Sequence, residues 1–466
     1  AQAARPAPGR RAPPRGGPCG AGLPQRARPQ MNNTPLAEFQ GLVLRESAPA
    51  AGALRSAEDD EAQALWIAVR PGYLVALFLA CWAVNVSVFA RFRVDYFAVL
   101  GLAKDELVSP QRLCASALLI GVVLGFFRIF TLRHVPTLFI VVAVLLTYLA
   151  ALLALFSWLP PALARHSRWR VPLARALWRC LWPDQGKEVP FVEVLVADGL
   201  TSISRAFFDV ALASCVAARS LNPFESISSA GSPLSGSPLS GHFSEIGALR
   251  EGGPLHEPGS QRLLLAGALE QCQRSPLPFL AWAVPFLIRA RQCMVTVRNA
   301  PDSLSRGLQR VNFLKYLSAL PIVAFAFCHA SAGGLRAPAL SQEDFEVLWA
   351  LAAVLNATFS FTWDLVMDWG LMQPAPCRTG QLGLRPVLLF RGVWGFYHGA
   401  IICNLFGRTL WSLRWSPQIT LFLGGFFLSS LQQAAEVLRR GLWNVLRVEW
   451  ECIRKGVHRS DKHFPV

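Results

Sequence analysis

The chain has 466 residues, of which 53% are hydrophobic and only 16% charged, where a soluble domain carries about 25% charged residues. Fifteen Trp, thirty Phe and a mean hydropathy of +0.36 exclude an ordinary water-soluble globule. The net charge of +16 does not make the chain a nucleic-acid binder, because its basic residues are scattered between apolar runs and fit cytoplasmic loops and membrane-buried sites.

Residues 1–65 read as a disordered tail. Their first thirty positions, opening "AQAARPAPGRRAPPRGGPCG", hold six Arg and no acid, a low-complexity composition with little to bury. Met31 is the first methionine, which predicts that the stretch before it is translated upstream sequence; without it the net charge falls from +16 to +10. A transit peptide would also be Ser-rich and amphipathic, and this stretch is neither. Asn32 opens an "NNT" sequon, exposed to glycosylation if the tail is lumenal and otherwise unused.

Apolar runs of the roughly 20 residues needed to cross a bilayer follow at 72–90, 112–131, 135–158, 191–217, 275–296, 312–335, 345–366, 385–412 and 418–446. The expected fold is therefore an all-α polytopic transmembrane helical bundle of about nine spans. Four spans fall in 66–218 and five in 275–455. Between them, 219–274 contains "GSPLSGSPLSG" and reads as a Ser/Pro/Gly-rich disordered loop. Residues 456–466 form a basic tail. The clusters "RFR", "RHSRWRVPLARALWR", "VRNAPDSLSRGLQR" and "RKGVHRSDKH" all fall on the cytosolic side if the N-terminus is lumenal or exterior. Eleven Cys show no CxxC pair and no ordered spacing with His, so they read as small buried hydrophobes rather than metal ligands or disulfides.

Charged side chains inside these runs are expensive and mark function. The cations are Arg289, Lys315, Arg408, Arg439 and Arg440; the anions are Asp198, Asp364, Asp368 and Glu436. Asp364 and Asp368 stand four apart, on one face of a helix. Glu436, Arg440, Trp443 and Arg447 form a 4-3-4 stripe that must face a protein interior or a water-filled cavity. Arg205, Arg291, Arg298 and Arg447 read as side chains that snorkel from span ends. Two uses of the mixed set stand side by side: a neutralised network of buried ion pairs, or an anion path in which Arg forks grip an oxyanion and carboxylates hold the arginines in place.

"WDLVMDWGL" at 363–371 resembles the signature of the EXS family, and "AEVLRRGLWNVLRVEWE" at 435–451 resembles its second conserved segment. "VADGLTSI", "RARQC", "NFLKYLSALP" and "LFGRTLW" match further family blocks in the same order, over about residues 66–455. The resemblance implies phosphate transport. Long members carry a cytosolic SPX domain ahead of the membrane part. Fewer than a hundred residues precede the first span here, without a Lys-rich helical pattern, so the chain is similar to the SPX-less short forms, such as the fungal Golgi protein required for retention of ER proteins. The resemblance assigns phosphate binding to Arg408, Arg439, Arg440, Lys315, Tyr316 and Asp198. It also carries over Asp364 and, as a residue lining the path, Trp411; together with Asp368, Glu436, Trp443 and Arg289 from the inward polar set these are expected along the path, with Trp411 or Trp443 as a gate. The chain departs from the family pattern at Thr201, at Cys403 and Asn404, and at Val295 and Thr296, where the family has Asn, a Glu-Asp pair and an Arg-Arg pair.

The functional expectation is a transporter moving inorganic phosphate without ATP hydrolysis, returning lumenal phosphate to the cytosol. It implies a lipid bilayer, a homodimer by family likeness, and no nucleic acid. A sorting or scaffold protein that binds glycosyltransferase tails is the alternative. An enzyme using Asp364 and Asp368 as a carboxylate pair lacks any partner motif, so no enzyme, cofactor or metal is expected. The Golgi membrane is the expected location by likeness to the SPX-less forms, with the plasma membrane or a plastid envelope as alternatives.

Overall fold

A computed structural model describes residues 50–103, 108–132, 135–156, 170–221, 258–331, 341–372, 384–385, 387–390 and 395–457. Every regular element among them is helical: α1 (Ala50–Arg91), α2 (Tyr96–Leu100), α3 (Pro110–Leu132), α4 (Thr137–Phe156), α5 (Arg170–Leu181), α6 (Phe191–Ser202), α7 (Ser204–Leu221), α8 (Pro258–Gln273), α9 (Pro276–Asn299), α10 (Ser303–Leu317), α11 (Leu320–Ser331), α12 (Gln342–Trp363), α13 (Phe396–Thr409), α14 (Pro417–Leu423) and α15 (Gly425–Arg454).

The surface is built for hydrocarbon. Leu118 and Leu119 on α3 are 71% and 64% exposed, and Phe422 on α14 is 87% exposed, while Asp209, Arg289, Asp364 and Arg439 are buried. Apolar outside and charged inside is the arrangement of a polytopic membrane bundle, where an apolar surface costs nothing and charge must turn inward. Two apolar cores hold the bundle. One gathers Phe89, Tyr96, Leu365, Trp369 and Trp443; the other gathers Leu65, Val144, Leu212, Leu269 and Phe279.

Five stretches are long and apolar enough to span a bilayer: Asp60–Arg91, Pro110–Phe130, Pro276–Asn299, Ser303–Ser331 and Gln342–Asp368. Counting each bent pair as one span, α6 with α7 at 57° and α14 with α15 at 96°, brings the total to seven among the described residues, against the nine expected. The run at 135–158 yields a shorter apolar stretch, Thr137–Leu153. The run at 385–412 yields α13, 14 residues long, before the chain tightens into a 3₁₀ turn at Leu410–Trp415.

Two expected boundaries move. Residues 50–65, assigned to the disordered tail, belong to α1. Residues 258–273, assigned to the disordered loop, form α8, and Cys272 on it is joined by a disulfide to Cys215 on α7, a pairing that the irregular Cys spacing did not show. The sequon at Asn32, the "GSPLSGSPLSG" repeat and the tail beyond 457 lie outside the described residues.

Three local features shape the interior. Pro71 lies inside α1 and has no N–H to donate to the preceding turn. Next to it the Tyr148 hydroxyl enters the helix ladder, accepting from Gly72 N at 3.0 Å and donating to Ala68 O at 2.9 Å; in a bilayer such groups have no water to turn to. The chain breaks between α6 and α7 at Ile203. The third feature is a π-helical turn at Asp364–Asp368, a widened turn of the kind that recurs at functional sites. Gly370, with φ +58°, follows it, and a Cβ there would meet the Trp450 ring at 2.5 Å, so only glycine fits.

Candidate anion cavity

The inward polar residues surround a cavity of about 590 Å³. Its wall is contributed by α1 and by every helix from α6 to α15. Among the described residues eight Arg or Lys side chains line it against four Asp or Glu, and Glu270 and Asp368 stand behind Arg274 and Lys315.

Asp364 organises one side. The π turn carries it, 1% exposed, toward α13 and α15. Its Oδ2 accepts from Arg408 Nη2 at 2.5 Å and Nε at 3.1 Å, and from Asn404 Nδ2 at 3.1 Å. Its Oδ1 accepts from Trp443 Nε1 at 3.1 Å, and Arg439 Nη1 stands 3.7 Å away. Arg439 is gripped from its own helix: its Nε and Nη2 donate to the two oxygens of Glu436 at 2.8 and 2.6 Å, and its Nη1 donates to Asn404 Oδ1 at 2.9 Å. Gly407 lets α13 come this close, since a Cβ there would meet Arg439 Cδ at 2.9 Å.

Arg440 is treated differently. Its Nε donates to Ser202 Oγ at 2.6 Å and its Nη2 lies 3.4 Å from Thr201 Oγ1. Those hydroxyls are turned inward at the end of α6, where they also donate to the Asp198 carbonyl. The Trp443 ring lies 4.4 Å from the Arg440 guanidinium carbon. Among the described residues Arg440 has hydroxyl and aromatic neighbours and no ion-pair partner, so its positive charge is positioned but not neutralised.

Lys315 and Tyr316 approach from α10. Lys315 Nζ is 3.5 Å from Asp368 Oδ2 and 4.5 Å from the centre of the Tyr316 ring. The Tyr316 hydroxyl donates to Asp198 Oδ1 at 2.6 Å, and Arg289 Nε donates to the same oxygen at 2.8 Å. Arg289 also donates to Gln292 Oε1 at 2.6 Å.

Of the twelve residues singled out in the sequence, eight line the cavity: Lys315, Tyr316, Asp364, Arg408, Trp411, Glu436, Arg439 and Arg440. Asp198, Arg289, Asp368 and Trp443 stand behind that wall, Asp198 and Arg289 bracing Tyr316, Asp368 bracing Lys315 and Trp443 bracing Asp364. Asp364 and Asp368 do not act as a pair: Asp364 has Arg408 and Arg439, while Asp368 has Lys315 and, at 3.9 Å, Arg447. Arg447, expected to snorkel, points inward, its Nη1 donating to Glu451 Oε2 at 3.0 Å.

Several wall residues escaped the sequence reading. Arg70 forks onto Asp209 at 2.8 and 2.6 Å; the apolar residues on both sides of it were a signal that the first helix begins earlier. Arg205 and Arg414 line the cavity although Arg205 was read as an interfacial side chain. Away from the cavity, Glu449 on α15 accepts from Leu389 N at 2.6 Å and Tyr397 Oη at 2.5 Å and pairs with Arg385, fastening 385–390 to the last helix.

Comparison with known proteins places this arrangement. Phosphate transporter PHO1 of Arabidopsis thaliana is 32% identical over 197 residues, 40% of this chain and 22% of the relative. Protein ERD1 homolog 1 of Schizosaccharomyces pombe is 29% identical over 192 residues, 39% of this chain and 46% of the relative. Solute carrier family 53 member 1 of Mus pahari is 27% identical over 187 residues, 39% of this chain and 26% of the relative. Each match covers less than half of the relative's length. The model of the EXS family, by contrast, matches residues 65–453, a span that holds all twelve site residues, and the chain belongs to the EXS family.

Proposed function

We propose that this chain moves inorganic phosphate across its membrane through the arginine-lined cavity, without ATP hydrolysis. The observation that carries the reading is Arg440, a buried cation on the cavity wall that, among the described residues, is matched to no carboxylate. A neutral structural network has no use for a buried cation left unpaired, whereas an entering dianion supplies its partner. Phosphate sits against Arg440, with Lys315, Tyr316 and Arg408 around it, and the guanidinium edges take its oxygens in pairs. Asp364 and Glu436 keep Arg408 and Arg439 in place and moderate their pull, so that the anion can leave. Trp411 is the better candidate for a gate: it lines the cavity and its buried Nε1 has no partner among the described residues, while Trp443 is tied to Asp364.

The names of the relatives support transport of phosphate. Likeness to an ERD1 homolog supports the Golgi membrane, with return of lumenal phosphate to the cytosol, and likeness to family exporters supports a homodimer. Phosphate flux into proteoliposomes tests the reading. Arg440→Ala is expected to lower flux at least tenfold, and wild-type flux in that variant would remove Arg440 from the site. Absence of flux in the wild type, together with capture of glycosyltransferase tails, would instead establish the sorting role.

A further inference from the structure

Arg205 opens α7, three residues beyond the Ser202 that holds Arg440. Its guanidinium carbon lies 3.9 Å from the centre of the Phe208 ring and 4.7 Å from that of Trp282. Aromatic faces hold a guanidinium plane without neutralising it and leave the N–H edges free to fork onto an anion. The acid one turn along, Asp209, is 0% exposed and both its oxygens are taken by Arg70. Among the described residues Arg205 has no hydrogen-bond or ion-pair partner, and it lines the same cavity as Arg440. The bend between α6 and α7 therefore carries an uncompensated guanidinium on one side and the hydroxyls that position another on its other side.

We propose that Arg205, framed by Phe208 and Trp282, is a second oxyanion site of this cavity, taking inorganic phosphate in sequence with the site at Arg440. The proposal rests on the phosphate-transport reading. Two sites of moderate strength let an anion enter and still leave, where one deep site would hold it.

The test is equilibrium binding of radiolabelled inorganic phosphate to the purified full chain, with flux measured on the same preparations. The wild type is expected to bind two phosphates per chain, and Arg205→Gln and Arg440→Gln one each. The phosphate-induced change in Trp282 fluorescence, identified as the part lost in Trp282→Phe, is expected to vanish in Arg205→Gln and to persist in Arg440→Gln. Arg205→Lys keeps the charge but not the fork, so the second site is expected to remain and to weaken about tenfold. Two sites of wild-type affinity in both Arg205 variants, with wild-type flux, would overturn this site and leave the transport reading intact. A wild type that neither binds nor moves phosphate would overturn both.

Discussion

Asp364 and Arg440 show two ways of keeping a charge inside a bilayer. Asp364 is surrounded: two arginines, an asparagine and an indole N–H converge on its oxygens. Removing one member of such a buried cluster strands the others, at about 3–5 kcal/mol. Asp364→Asn is therefore expected to lower the unfolding midpoint in detergent far more than Trp443→Phe, which deletes one hydrogen bond to a charged group, about 1.5–3 kcal/mol, and keeps most of the ring. An equal or reversed order would show that the carboxylate is not the electrostatic centre of this side. Arg440 has no such surround, so Arg440→Ala should cost flux rather than stability. The stripe bearing Arg440 was legible because helical spacing is a property of consecutive residues. What neutralises each charge was not, since Asp364 meets Arg408 and Arg439 across 44 and 75 positions of sequence, distances at which spacing carries no information.

Among the helices, the interrupted ones shape the site against α15. The break at Ile203 turns the Thr201 and Ser202 hydroxyls inward, the π turn at Asp364–Asp368 sends its two acids to separate cations, and the end of α13 tightens at Leu410. The sequence announced none of these, because each depends on what the neighbouring helix supplies. Pro71 was visible, but its consequence was not: Tyr148, 76 residues away by its bond to Gly72, completes the ladder there. Tyr148→Phe leaves that N–H and the Ala68 carbonyl to find other partners in an apolar setting. It is expected to destabilise the bundle by about 1–3 kcal/mol, with hydrogen exchange accelerated at Gly72 and unchanged in α15. Unaltered exchange at Gly72 would mean that the hydroxyl is dispensable to the ladder. The error at α8 has another origin: the loop reading rests on the "GSPLSGSPLSG" repeat, while "RLLLAGALEQC" beyond it supplies Leu265, Leu269 and Cys272 to an apolar core.

For the molecule as a whole, composition and run length sufficed for an all-α membrane bundle, because hydrocarbon permits few alternatives to helices. The span count was less legible, since a hydropathy run does not reveal where a helix bends. Arg205 and Arg440 face the cavity with no ion-pair partner among the described residues, so phosphate should act as part of the fold. At a hundred times its dissociation constant each bound phosphate is expected to stabilise the purified protein by about 2.7 kcal/mol, visible as a rise in the melting midpoint that is smaller in Arg440→Gln. A midpoint insensitive to phosphate would argue against an anion-completed cavity. The Cys215–Cys272 bond, closed over a sequence separation of 57, has a different consequence: it makes part of this chain a covalent ring. A protease cut anywhere in 222–257 should leave a single molecule, whose two fragments part on a denaturing gel only after reductant is added; fragments that part without it would show the ring to be open. Such bonds persist where thiols are oxidised and not in the cytosol. A closed ring in cells would therefore assign a side of the membrane to this end of the bundle, and with it to the stretch of cavity wall at Gln273 and Arg274.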